Sequence, residues 1–164
     1  MRRADGERGS GPVGWLVPML TPIALAACSP SGDIGPPVPI TFAAGVCDGT
    51  CPEWEATVTE TGGTFRGGRF SRTAGERAFN LNTAQYRAIA GTLAPVRPKG
   101  AREVFPGRPG CEHAATDMRT IDVQWGKRDR LTFYTGCSGA ANARIHEALL
   151  EAERLLPASR LAGG

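Results

Sequence analysis

The chain has 164 residues, five cysteines, and 19 Lys plus Arg against 16 Asp plus Glu. That length suits one modest domain. A net charge of +3, with both signs interspersed, excludes the dense basic face that nucleic acid or an acidic polymer would demand, so no nucleic-acid partner is expected.

The first feature in chain order is an address. Arg2, Arg3 and Arg8 precede an uncharged run over residues 11–27 that ends in Leu25-Ala26-Ala27-Cys28. A basic start orients such a segment in a membrane, the apolar run partitions into it, and small residues before the cut fit a narrow peptidase subsite. The run is short for a membrane span, and Pro12, Pro18 and Pro22 would interrupt a helix. Residues 1–27 are accordingly read as a signal peptide, 28–37 as a Ser/Pro/Gly tether with a reach of roughly 30 Å, 38–157 as a single domain, and 158–164 as a flexible tail.

The tetrapeptide ending at Cys28 resembles the lipobox of bacterial lipoproteins, whose cysteine receives diacylglycerol before cleavage. That resemblance implies lipid attachment at Cys28, with the membrane as a partner through the anchor. Ser29 follows, not the aspartate that commonly retains such proteins at the inner membrane, so the resemblance favours the periplasmic face of the outer membrane.

With Cys28 lipidated, Cys47, Cys51, Cys111 and Cys137 remain in an oxidising compartment, where disulfides are the default. Four cysteines allow three pairings. Cys47 with Cys51 and Cys111 with Cys137 are favoured, because a short turn holds the first two close and the second two flank one continuous block.

Within the domain, Ile40 and Phe42 alternate with polar or small neighbours, which fits a first strand. Trp54, Ala56 and Val58 alternate with Glu55, Thr57 and Thr59 in the clearest strand pattern. A turn at Thr61-Gly62-Gly63 then leads into a partner strand over 64–70, and a further strand is expected over 78–81. Asn82, with Gln85 three residues on, predicts a helix cap, and Tyr86, Ile89, Ala90 and Leu93 fall on one helical face.

Residues 94–117 hold Pro95, Pro98, Pro106 and Pro109 and are expected to form an irregular excursion stapled by Cys111. A second hairpin follows, with Ile121, Val123 and Trp125 in one strand and Leu131 and Phe133 in the other. Ser138 is expected to cap a final helix with a stripe of Ile145, Ala148, Leu149, Ala152 and Leu155, ended by Pro157. Hairpins segregated from helices imply an α+β fold: an antiparallel sheet built from hairpins, with two helices packed on one face.

Cys47-Asp48-Gly49-Thr50-Cys51-Pro52-Glu53-Trp54, followed by the alternating strand, a Gly turn and Phe65-Arg66-Gly67, resembles a bacterial domain family of unknown function. Its mark is Cys-x-Gly-x-Cys-Pro-x-Tyr ahead of a β-hairpin, and the resemblance covers residues 40–156. Asp48 where an aromatic is common, Trp54 in place of Tyr, and the added pair Cys111 and Cys137 depart from it. The resemblance implies export and an α+β fold, and no catalytic residues.

Other chemistries fit the residues less well. Cys47-x-x-x-Cys51-Pro52 also resembles the copper-binding motif of thioredoxin-fold assembly factors of the cytochrome oxidase pathway, with His113 as the nearest thing to a third ligand. In those proteins the motif opens a helix, whereas the alternation after Pro52 demands a strand. His146-Glu147 begins like a zinc-protease helix, but Leu150 stands where the second histidine is needed. Glu53 and Glu55 read as a solvated strand face, since an acid and base pair needs an enclosing cleft. Arg66, Arg69, Arg72 and Arg77 likewise read as water-facing, and Trp54 and Trp125 as core.

No catalytic residue, metal ligand or cofactor is therefore assigned. The expectation is a non-catalytic, membrane-anchored periplasmic lipoprotein acting through an envelope protein partner or other envelope interactions. The alternative is a periplasmic thiol-redox or copper-handling protein using Cys47 and Cys51.

Overall fold

A computed structural model describes residues 36–137 and 139–163. The signal peptide, Cys28, most of the tether and Ser138 lie outside these residues. The elements are β1 (Ile40–Ala44), β2 (Trp54–Thr59), β3 (Gly62–Gly67), β4 (Gly75–Phe79), α1 (Thr83–Leu93), β5 (Ala101–Val104), β6 (Thr120–Trp125), β7 (Asp129–Tyr134), α2 (Ala143–Leu155) and α3 (Ala158–Ala162). Short 3-10 turns at Ala94–Val96 and Ala140–Asn142 extend α1 and introduce α2.

The seven strands form one sheet in the order β4-β3-β2-β1-β6-β7-β5. Every neighbouring pair is antiparallel except β5 with β7. The protein is an α+β fold, with α1 and α2 packed on each other and on one face of the sheet.

Period-two alternation explains which face is covered. Ile40, Phe42 and Ala44 of β1 lie opposite Val58, Ala56 and Trp54 on one side and Trp125, Val123 and Ile121 on the other. All nine are buried, and Phe42 stacks on Trp54 with ring centroids 5.5 Å apart. The intervening residues form a threonine-rich outer face, where the Thr41 and Thr57 hydroxyls share a hydrogen bond of 3.0 Å. α1 adds Tyr86, Ile89 and Leu93 to the core, and α2 adds Ile145, Leu149 and Ala152. Asn82 caps α1 as the sequence implies. Its side chain accepts from the Gln85 N–H at 2.9 Å, and its own N–H donates to the Gln85 side chain at 3.0 Å.

Several expectations are corrected. The first hairpin turns at Glu60-Thr61, and Gly62 and Gly63 are strand residues. A Cβ on Gly63 would lie 2.3 Å from the Phe79 ring, so the glycine is what lets Phe79 fold over the sheet edge. The strand expected at 78–81 lies earlier, at Gly75–Phe79. The excursion over 94–117 contains an edge strand, β5, whose Ala101, Arg102 and Glu103 are exposed and whose Val104 is buried, so no alternation marks it. Of the segment expected as a tail, residues 158–162 are ordered as α3, which buries Ala158 and Ala162 and whose carbonyls accept from the N–H groups of Arg72 and Thr73. Leu155 is 37% exposed and Leu156 takes its place in the core, because the helix ends there ahead of Pro157. The residue at the start of α2 is Asn142.

The register gives the sheet two distinct ends. The chain enters β1 at one end, together with the turns 60–61, 97–100 and 126–128; we call this the entry end. The loops 45–53, 68–74 and 105–119 gather at the other.

If the helix-facing residues of β1 hold the sheet together, Phe42→Ala should lower unfolding free energy by about 3–5 kcal/mol, against about 0.5 kcal/mol or less for Thr41→Val on the outer face. Urea unfolding of the two variants measures the contrast.

Candidate functional site

Both disulfides lie at the end opposite the entry, which is therefore the staple end. Cys47 is bonded to Cys51 within the β1–β2 loop, with a Cα–Cα distance of 5.6 Å. Cys111 is bonded to Cys137 at 5.2 Å, joining the β5–β6 loop to the end of β7. The first bond is partly exposed, beside exposed Asp48, Gly49 and Thr50. The second is enclosed, with Cys111 and Cys137 at 2% and 1% exposure.

The β5–β6 loop is tied down well beyond its staple. Buried Asn142 donates through its side-chain amide to the carbonyls of Gly110 and Cys137, both at 2.8 Å. Thr135 donates to the Arg119 carbonyl through both its N–H and its hydroxyl. Ala115 N–H donates to the Gly136 carbonyl at 3.1 Å. A Cβ on Gly136 would sit 2.3 Å from the Ala115 carbonyl oxygen, so only glycine allows the loop to lie this close. Arg119 forms an ion pair with Glu153 of α2.

On this ordered frame the staple end presents Val46, Phe70, Phe105 and Met118, four of the five large apolar residues exposed among the described residues. Phe105 rests against Tyr134 with centroids 5.5 Å apart. Phe70, 55% exposed, has φ of 60°, an unfavourable conformation for a bulky side chain.

The entry end has a different character. Val38 is clasped by Tyr86, whose hydroxyl accepts from the Val38 N–H at 3.0 Å and donates to the Val38 carbonyl at 2.6 Å. Alongside is a cleft of about 310 Å³ walled by Val38, Tyr86, Ala90 and Trp125. At its mouth Arg97 and Asp129 form an ion pair at 2.7 Å. The Asp129 carboxyl is held below the usual aspartate range, first by the Gly100 N–H and then by the Arg97 guanidinium. The sequence singled out Tyr86 only as part of an apolar helix face, and it did not single out Arg97 or Asp129. They are 32 residues apart and meet only through the sheet.

The remaining sequence candidates disperse. Glu53 precedes β2 and faces Arg69 at 3.7 Å, while Glu55 points into solvent. Arg66 pairs with Glu76 at 3.6 Å, and Arg72 and Arg77 are exposed. His113 lies exposed on the β5–β6 loop, and His146 of α2 meets the Phe133 ring edge-on at 6.3 Å. Trp54 and Trp125 are buried. Among the described residues, no three His, Cys, Asp or Glu side chains are grouped to share a metal ion, and no helix is long and apolar enough to cross a membrane.

The fold and its staples define a disulfide-bonded α+β domain. The family described as Domain of unknown function (DUF6438) matches residues 38–156, and the chain belongs to it. Neither the curated proteins nor the solved structures include a match to this chain.

Two measurements test the site's physics. Because Asp129 has a depressed pKa, its contribution to stability is full above the ordinary aspartate value of 3.8 and is lost as pH falls through the lower folded value. The stability gap between the protein and Asp129→Asn should therefore be constant from pH 7 to about 5 and close progressively below pH 3.8 in urea titrations. Replacing both Cys111 and Cys137 by Ser should cost about 3.5 kcal/mol by loop entropy, against about 2 kcal/mol for Cys47 and Cys51. Unfolding midpoints of the two double variants give the order directly.

Proposed function

We propose that this protein is a lipid-anchored lipoprotein of the bacterial cell envelope, fixed through Cys28 on the periplasmic face of the outer membrane, and that it acts by contact and not by catalysis. The observation that carries the reading is the cysteine inventory. The four domain cysteines join in two disulfides, which suits an oxidising compartment, and the fifth closes the lipobox-like Leu25-Ala26-Ala27-Cys28. The reading of the contact surface follows from the staple end. Its exposed Val46, Phe70, Phe105 and Met118 suit an apolar patch on an envelope protein, and Phe70 in a strained conformation is the kind of residue retained for contact.

The experiment is mass analysis and fractionation of the protein from its native envelope, beside Cys28→Ser. The expected outcome is a mature N-terminal Cys28 peptide carrying diacylglycerol, and loss of both processing and membrane attachment in the variant. Attachment that survives Cys28→Ser would sink the anchor. Thiol trapping of the same material addresses the mode of action: a Cys47–Cys51 bond found largely reduced, or copper retained on the protein, would replace the contact reading by thiol-redox or copper handling.

A further inference from the structure

We propose that the entry end of the sheet is a docking surface for an anionic lipid bilayer, so that the domain is held by electrostatics as well as by its anchor. The inference rests on the lipid-anchor reading above and adds a second membrane contact to it.

Three cations ring this end. Lys99 lies in the turn before β5, and Lys127 and Arg128 lie in the turn between β6 and β7; all three are exposed. They surround the clefts that also contain Val38, the residue at which the tether joins the domain. The other charges at this end are accounted for. Arg97 and Asp129 neutralise one another, with the Gly100 N–H also donating to Asp129. Glu60 is the remaining carboxylate, in the β2–β3 turn next to Pro37 and Val38. Among the described residues, no carboxylate forms an ion pair with Lys99, Lys127 or Arg128.

The loops of the staple end balance, with Asp48, Glu53, Glu112 and Asp117 against Arg69, Arg72, Arg108 and Arg119, and Arg119 is already paired with Glu153. A domain whose charges nearly cancel is thus polarised along its strands, positive where the tether arrives. The three cations are exposed on turns, unlike the buried donors of an enclosed anion pocket, and such an exposed set suits an extended charged plane. A tether leaving from the same end presents those turns to the membrane. Within a Debye length of an anionic surface, each such cation favours the bound state by about fivefold. The diacylglycerol on Cys28 supplies the hold itself, and the basic turns add a contact that orients the domain.

The test uses the full chain bound to vesicles, since an apolar anchor enters neutral and anionic bilayers alike. Hydrogen exchange is compared on pure phosphatidylcholine and on phosphatidylcholine with about a third phosphatidylglycerol. Slower exchange over residues 97–100 and 126–129 on the anionic vesicles is expected, reversed by 0.5 M salt. In competition between the two vesicle types, the triple variant Lys99→Gln, Lys127→Gln, Arg128→Gln should lose on the order of 100-fold in anionic preference. A charge-matched control, Arg69→Gln with Arg72→Gln and Arg108→Gln at the staple end, should retain it. Far-UV circular dichroism checks that each variant is folded. Equal exchange on both vesicles, or a triple variant no different from the control, overturns the proposal. Failure of the anchor reading is separable: an unlipidated Cys28 with the exchange pattern intact removes the anchor and keeps the surface, whereas a lipidated Cys28 with no pattern does the reverse.

Discussion

Strand β1 holds the sheet in one piece. It pairs with β2 on one side and β6 on the other, so without it the strand order would divide into β4-β3-β2 and β6-β7-β5. Its five residues contribute Ile40, Phe42 and Ala44 to the core, each flanked by apolar partners on both neighbouring strands. Hydrogen bonding and burial are therefore concentrated in the same short segment. The Tyr86 clasp on Val38 fixes where that segment begins, and the Gly126 N–H donates to the Pro39 carbonyl on its other flank. The turns, clefts and loops at both ends depend on this placement.

What could be read in the sequence followed burial that imposes a period. β2, β6 and β7 sit on a half-buried sheet and alternate cleanly, and α1 carries its cap in adjacent residues. β5 escaped because an edge strand with one buried residue has no period to show, and its partner β7 lies about 30 residues further on. α3 escaped for a related reason: Pro157 ends α2, and what holds the next five residues is pairing with the distant Arg72 and Thr73. At the site, the cysteines could be listed from composition, but that one bond is enclosed and the other partly exposed came only with the fold. Lys99, Lys127 and Arg128 are ordinary surface cations in the sequence, and topology alone makes them neighbours of Val38.

The two disulfides do different physical work. The Cys111–Cys137 bond is one of several ties on a loop rich in proline and glycine, acting beside Asn142, Thr135 and the close approach at Gly136. Order in that loop comes from tertiary bonds, since its own sequence offers no regular structure. The Cys47–Cys51 bond closes a small ring in the loop between β1 and β2, whose two ends are held by the Gly45 N–H on the Thr120 carbonyl and the Glu53 N–H on the Arg69 carbonyl. Together they turn the staple end into a preorganised surface, where apolar side chains are displayed without the entropy cost of ordering loops on contact.

The position of β1 next to the point of entry has a mechanical consequence. Any pull delivered through residue 36 is felt first by the Tyr86 clasp and then along the axis of a strand hydrogen-bonded on both sides. Such a force must slide two ladders at once, whereas a chain attached to an edge strand could be peeled away one bond at a time. Tension applied where the chain enters this middle strand is resisted as by a wedge driven between two hairpins.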